Sequence, residues 1–226
     1  MRQADNGRFI VLDGGEGCGK STQSRMLVER MNAEGHSPLL VHDPGTTRIG
    51  AIVREVLLNP ENTDMGMRCE MLLYMAARAQ MMWEIIQPAL REGRTVISDR
   101  FVSSTLAYQL GGDGLSADDI RNVANVAISG RWPDLTIILD LPIEVSSTRV
   151  QPKYLLPFPD KFKPKRAKDR IEQRSLDYHQ TVRDNYLAQA KSDPQRYRVV
   201  DANRDVNVVH EELWTLVHEL SSKAKR

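Results

Sequence analysis

The sequence predicts an α/β fold: a five-stranded parallel sheet flanked by helices, carried on one domain of residues 1–226. Two observations predict the sheet. Five short β-rich runs, Phe9–Leu12, Leu39–His42, Thr95–Ser98, Leu135–Leu139 and Tyr197–Val200, alternate with helical stretches, the order that builds parallel strands through crossovers. Three of those runs are nearly all apolar, as strands buried on both faces must be. A third observation adds a binding site, because the first run leads straight into a glycine-rich loop and then a helix.

That loop, Gly14-Gly15-Glu16-Gly17-Cys18-Gly19-Lys20-Ser21, fits the spacing G-x-x-x-x-G-K-[ST] at every fixed position. Strand, loop and helix together make the pattern a phosphate site, a P-loop. Glycines allow positive φ, so successive N–H groups can point inward. The following helix, read from Thr22 to Glu34 before Gly35, offers unpaired donors and a favourable dipole to an anion. Lys20 is placed to reach the β- and γ-phosphates of a nucleotide, and the Ser21 hydroxyl to ligate Mg²⁺. Cys18, at a helix start, reads either as a reactive thiol or as a small residue in the loop.

The later elements follow in order. Arg54 lies on a helical segment after Asp43-Pro44-Gly45-Thr46-Thr47. Glu70 to Arg91 carries Leu72, Leu73, Ala76 and Ala79 at helical spacing, with Pro88 expected to kink it. Its Met81-Met82-Trp83 patch fits either core packing or a contact with a second copy. Tyr74 and Arg78, one turn apart on that helix, fit either a base-binding pair or ordinary packing. Thr105 and Tyr108 follow Arg100 on another short helix. Ser116-Ala117-Asp118-Asp119 opens a helix to Ser129 in the manner of a capping box, and Asp169–Ala190 and Val206–Leu220 complete the helical set. Ligands of such folds sit beyond the carboxyl ends of the strands, which singles out Asp13, Asp43, Asp99-Arg100 and Asp140. The Asp99-Arg100 pair either grips a phosphate bidentately or ties a strand end. Val150–Pro164 interrupts the alternation with four prolines. With Lys165, Arg166, Lys168 and Arg170 after it, the region of about 150–170 reads either as an exposed loop or as a mobile lid that brings cations over a nucleotide.

Composition narrows the class further. Hydrophobic residues make up 41% and charged residues 27%, ordinary for a soluble chain. Lys and Arg number 31 against 30 Asp and Glu, so no basic field points to nucleic acid. Two cysteines form no framework, no run has the length of a membrane span, and Met1–Gly7 lacks an apolar signal core. These predict a cytoplasmic protein with no membrane contact. A GTP-driven switch would need D-x-x-G and N-K-x-D, and neither occurs.

Several blocks resemble bacterial thymidylate kinases, in family order from Phe9 to about Ala202. They are Asp43-Pro44-Gly45-Thr46-Thr47, Tyr74-Met75-Ala76-Ala77-Arg78-Ala79-Gln80, Ser98-Asp99-Arg100-Phe101 running to Ala107-Tyr108-Gln109, Pro133 to Asp140, and Asp169-Arg170-Ile171-Glu172. The resemblance implies a P-loop kinase that phosphorylates dTMP with ATP and Mg²⁺ for dTTP synthesis, and a homodimer. It implies that Gly14 to Thr22 (Gly14, Gly15, Glu16, Gly17, Cys18, Gly19, Lys20, Ser21 and Thr22) hold ATP and that Arg149 lies against adenine. Glu16 would contact the sugar 3′-hydroxyl and the metal's water shell. Arg54 and Arg100 would hold the thymidylate phosphate, beside Asp43 and Asp99. Tyr74 would stack on thymine, Arg78 would donate to its carbonyl, and Thr105 and Gln109 would reach its other polar edge. Tyr108 would crowd the sugar C2′. Gly17 occupies the P-loop position where some members carry an arginine, so the chain resembles the lid-arginine type. Arg166 then joins Lys20, Arg100 and Glu16 as a catalytic candidate. His42-Asp43 replaces the usual Arg-Glu. A kinase for another monophosphate, or a non-catalytic P-loop regulator, is the competing expectation.

Overall fold

The computed structural model describes residues 7–149 and 169–223, the last three by backbone alone. Strands β1 (Phe9–Gly14), β2 (Leu39–His42), β3 (Val96–Asp99), β4 (Leu135–Asp140) and β5 (Tyr197–Asp201) form one parallel sheet in the order β2-β3-β1-β4-β5. The expected class is therefore observed, with strand ends shifted by a residue or two. The lid lies outside the described residues except for Asp169 and Arg170.

Period-two alternation explains why the strands read as unbroken apolar runs. Phe9 and Val11 of β1 join Val41 and Val96 in a core on one face, while Ile10 and Leu12 join Ile97, Ile137 and Leu139 on the other. Adjacent residues thus point to opposite faces, and both faces are covered. Helices α1 (Lys20–Ala33) and α9 (Val206–Lys223) cover the second face, bringing Leu27, Met31, Val209 and Leu213. The first face is covered by α3 (Met67–Met81), α4 (Gln87–Arg91), α5 (Val102–Tyr108) and α6 (Ala117–Ala127). Helices α2 (Arg48–Leu58), α7 (Ile143–Arg149) and α8 (Leu176–Ser192) complete the described set.

Three helical expectations need correction. The first helix starts at Lys20, two residues early, because Gly19 itself is the left-handed entry residue, with φ 92°. The stretch Glu70–Arg91 begins at Met67 and contains a π turn over Met82–Ile86, where Gln87 N–H reaches back five residues to the Met82 carbonyl. The irregularity precedes Pro88 because proline has no N–H for the carbonyl four residues before it, so the last turn ahead of it widens. The helix expected from Asp169 starts only at Leu176. The Asp169 carboxylate accepts from the backbone N–H groups of Ile171 and Glu172, which closes a turn. Ser175 then caps α8 by accepting from Tyr178 N–H. Ser116 and Asp119 do form the reciprocal capping box at α6.

Candidate active site

The loop after β1 is held by close approach of backbone to backbone. A Cβ at Gly14 would lie 2.5 Å from the Leu139 carbonyl of β4, and Gly14 has φ +140°, so only glycine fits the strand end. Lys20, at the first turn of α1, is buried and folds back over the loop. Its ammonium donates to the carbonyls of Gly15 (2.6 Å) and Gly14 (3.2 Å). Cys18 is 3% exposed, and its thiol donates to the Gly15 carbonyl; this is the packing of a small loop residue. Ser21 Oγ donates to Asp99 Oδ2 at 2.5 Å, joining the loop to the end of β3.

Asp13, the last apolar-strand position but one, supports the neighbouring turn. It is fully buried and accepts from the hydroxyls of Ser103 (2.6 Å), Ser104 (2.7 Å) and Tyr186 (2.6 Å). Asp140 is likewise engaged, by the Arg183 fork at 2.7 and 2.9 Å. Two of the four strand-end carboxylates are thus structural acceptors.

Arg100 takes a left-handed backbone, φ 72°, an uncommon conformation for a non-glycine residue that clusters at functional sites. Its N–H bonds the Leu12 carbonyl of β1, and its guanidinium swings toward the loop. There Arg100 donates to Glu16 Oε1 (2.5 Å), the Gly14 carbonyl (3.1 Å) and Tyr186 OH (3.3 Å). It lies over the Tyr108 ring, 5.2 Å from its centroid. Burial pushes the Tyr108 and Tyr186 phenols up, so both stay neutral.

Beyond Arg100 a pocket is lined by Asp43, Arg54, Tyr74, Arg78, Arg100, Thr105, Tyr108 and Gln109, together with Glu16 and Asp169. Eight residues that the sequence assigns to the acceptor converge there; Asp99 stands apart, against Ser21. Arg54 reaches from α2 and donates to the Pro44 carbonyl (3.0 Å) across the cis Asp43–Pro44 peptide. Arg78 is 1% exposed and pairs with Asp43 at 2.6 Å. Its remaining donors meet the Phe101 carbonyl (3.0 Å), Met75 Sδ (3.1 Å) and Thr105 Oγ1 (3.3 Å). The thioether and the long hydroxyl contact are the weakest of these, so Nη1 is the nitrogen most easily shared. Asp43 Oδ1 is buried without a partner among the described residues, and burial, opposed by Arg78, raises the carboxyl above its ordinary value. In the neighbouring turn Thr46 Oγ1 is held by the His42 backbone, accepting from its N–H (2.7 Å) and donating to its carbonyl (2.8 Å). The His42 ring is pulled below its ordinary value by burial and then by Arg54.

Arg149 ends α7 and donates to the Ala202 carbonyl at 3.1 Å; nearby, Ser146 Oγ donates to the Glu16 carbonyl. Arg166, Lys165 and Lys168 lie outside the described residues. Arg170, their neighbour in the proposed cation group, is instead drawn into the core. It is 8% exposed and donates to Glu70 Oε2 (2.5 Å) and the Leu57 carbonyl (2.9 Å). Glu70, Arg174 and Tyr186 carry no motif, and sequence reasoning gave them no role. One signal was available. Glu70 shares a helical face with Met71, Tyr74 and Arg78, and an acidic group on a buried stripe must have partners.

A P-loop at the centre of a parallel sheet, bridged by an arginine to a pocket of aromatic and polar residues, defines a nucleotide kinase of the P-loop class. Comparison with known proteins narrows the class. A family model described as thymidylate kinase matches residues 12–213. The thymidylate kinase of Thermomicrobium roseum is 40% identical over 222 residues, covering 96% of this chain and 98% of that one. That of Neisseria meningitidis is 42% identical over 202 residues, 89% of this chain and 92% of its own. The crystal structure of thymidylate kinase from Ehrlichia chaffeensis superposes with a TM-score of 0.72 at 26% identity, covering 93% of this chain and 98% of that one. The chain belongs to the thymidylate kinase family.

Proposed function

We propose that the chain performs its family's reaction in the crevice between the loop after β1 and the pocket beyond Arg100: γ-phosphoryl transfer from ATP to dTMP, giving ADP and dTDP. The observation that carries this reading is the position of Arg100. One guanidinium touches the P-loop carbonyl of Gly14 and the carboxylate of Glu16 while lining the acceptor pocket. It therefore stands where a donor phosphate and an acceptor phosphate must meet.

The acceptor phosphate has a second pKa near 6 and is largely dianionic at neutral pH, so it attacks without a general base. The work left to the protein is to align two anions and spread the charge of the transferred group. Lys20 exchanges its carbonyl partners for phosphate oxygens, which are stronger acceptors. Arg54 and Arg100 hold the acceptor phosphate. Asp43 Oδ1 is left as an acceptor for a substrate hydroxyl. Tyr74 packs on the base, and Arg78 Nη1 and Thr105 serve its polar edge. Ser21 Oγ and Asp99 are hard oxygen donors in contact, and Mg²⁺ is commonly held by one or two such groups plus phosphates and waters; they fit as its protein ligands. When bound, Mg²⁺ neutralises charge on the β- and γ-phosphates. Arg166 is our candidate for the lid cation and Arg149 for the adenine contact.

We further propose a cytoplasmic homodimer. No described helix is long and apolar enough to cross a membrane. On the packed pair α2 and α3, Ile49, Ile52, Val56 and Leu72 are 41%, 51%, 41% and 53% exposed, a patch of the kind that marks a protein–protein contact. A coupled assay offering dTMP, dUMP, dCMP, AMP and GMP with ATP and Mg²⁺ tests the reaction. dTMP should be the preferred acceptor; turnover of a purine nucleotide alone would overturn it.

A further inference from the structure

Beneath the acceptor pocket lies a charge cluster that the reaction does not itself use. Glu70 is wholly buried, and its two oxygens are divided between two tasks. Oε2 accepts from Arg170 (2.5 Å) and from Arg174 (2.6 Å). Oε1 accepts from Gln109 Nε2 at 2.7 Å. Arg170 is anchored in turn by the Leu57 carbonyl of α2, and Arg174 stacks over Tyr178, 4.5 Å from its ring centroid. The carboxylate is clamped from one side and presents a single acceptor to Gln109.

The two ends of a glutamine amide have the same shape and differ only in hydrogen bonding. A carboxylate can only accept, so Gln109 must turn its NH₂ to Glu70 and its carbonyl oxygen the other way. Gln109 lines the acceptor pocket, and no described residue donates to its Oε1. We propose that Glu70 is a specificity-determining positioning residue. By locking the Gln109 amide it presents a pure acceptor to the base, and so selects pyrimidines that carry a ring N–H, thymine and uracil, over cytosine, whose N3 is an acceptor. This rests on the reading that Gln109 meets the base.

Glu70→Gln provides the test. With Arg170 and Arg174 still demanding an acceptor, the new amide turns its oxygen to them and its NH₂ to Gln109. Gln109 must then flip and offer NH₂ to the base. The ratio of kcat/KM for dTMP to that for dCMP should fall about tenfold or more, the worth of one hydrogen bond made or mismatched. The fall should appear in the KM for dTMP, with the KM for ATP unchanged. Equal losses for both acceptors would mean a merely structural role and would overturn the proposal. Gln109→Ala separates the layers. If it leaves the ratio unchanged, Gln109 does not meet the base; if it shifts the ratio while Glu70→Gln does not, the orientation argument alone fails. Should Glu70→Gln not fold, the double variant Glu70→Gln/Arg174→Met removes one charge of each sign and keeps the local balance. The unaltered protein supplies an independent measurement by calorimetric titration with dTMP, dCMP and N3-methyl-dTMP. A locked acceptor predicts that the last two bind comparably weakly; binding of either as tight as dTMP would overturn it.

Discussion

Lys20 and His42 show how single side chains divide between what a motif announces and what only packing reveals. Lys20 was legible because spacing alone places it. Lys20→Ala should lower kcat about a hundred- to a thousandfold, the usual loss for one charge-stabilising donor, with the far-ultraviolet circular dichroism unchanged. His42 was visible only as a departure from a family pattern. Burial and Arg54 depress its pKa below 6.5, so the folded chain resists a proton that the unfolded chain accepts near pH 6.5. The unfolded state therefore binds more protons there, and stability falls as pH drops through 6.5 toward the lowered value, while staying flat above it. Denaturation midpoints measured between about pH 7.5 and 5.5 should decline less for His42→Gln than for the parent; equal slopes would refute the assignment. Strand position singles out Asp13 and Asp140 but says only where a carboxylate stands, not which protein donors reach it. The hydroxyls around Asp13 come from α5 and α8, the latter 173 residues away at Tyr186.

Elements were legible where local chemistry is strong and obscure where tertiary contacts override it. The Ser116–Asp119 box is local, and so was readable. Ser116→Ala should cost about 1 kcal/mol of stability in urea unfolding, since it orphans the Asp119 N–H at the start of α6. The start of α8 was not readable. Asp169 to Ser175 has helical composition, but the Arg170 and Arg174 guanidiniums are committed to Glu70, 100 and 104 residues away. Folding those residues as turns serves that buried carboxylate, a demand no window of neighbouring residues records. The π turn before Pro88 is a local effect that was only partly readable. The proline predicts a disturbance, but the widened turn lies on its N-terminal side, where the missing N–H is felt.

For the whole molecule, pattern was enough to give the sheet. Apolar runs and a single phosphate loop predict five parallel strands, and register follows because the central strands β1, β3 and β4 are buried on both faces. The proposed self-association is different, since an exposed Ile looks like any helical apolar residue until burial is known. Ile52, midway along the exposed row of α2, is the residue to change. Ile52→Glu should convert a dimer to a monomer in light scattering and remove any dependence of Tm on protein concentration; an unaltered mass would place the contact elsewhere. The parallel register sets a further limit. Leu12 of β1 lies beside Asp99 of β3, so the glycine-rich loop and the Arg100 turn leave neighbouring rungs of one ladder. The ladder sets the spacing of these two turns, while Arg54, Tyr74 and Arg78 reach the pocket from α2 and α3, outside the sheet. Under rising urea, turnover should therefore not survive past the midpoint at which the sheet's circular dichroism is lost.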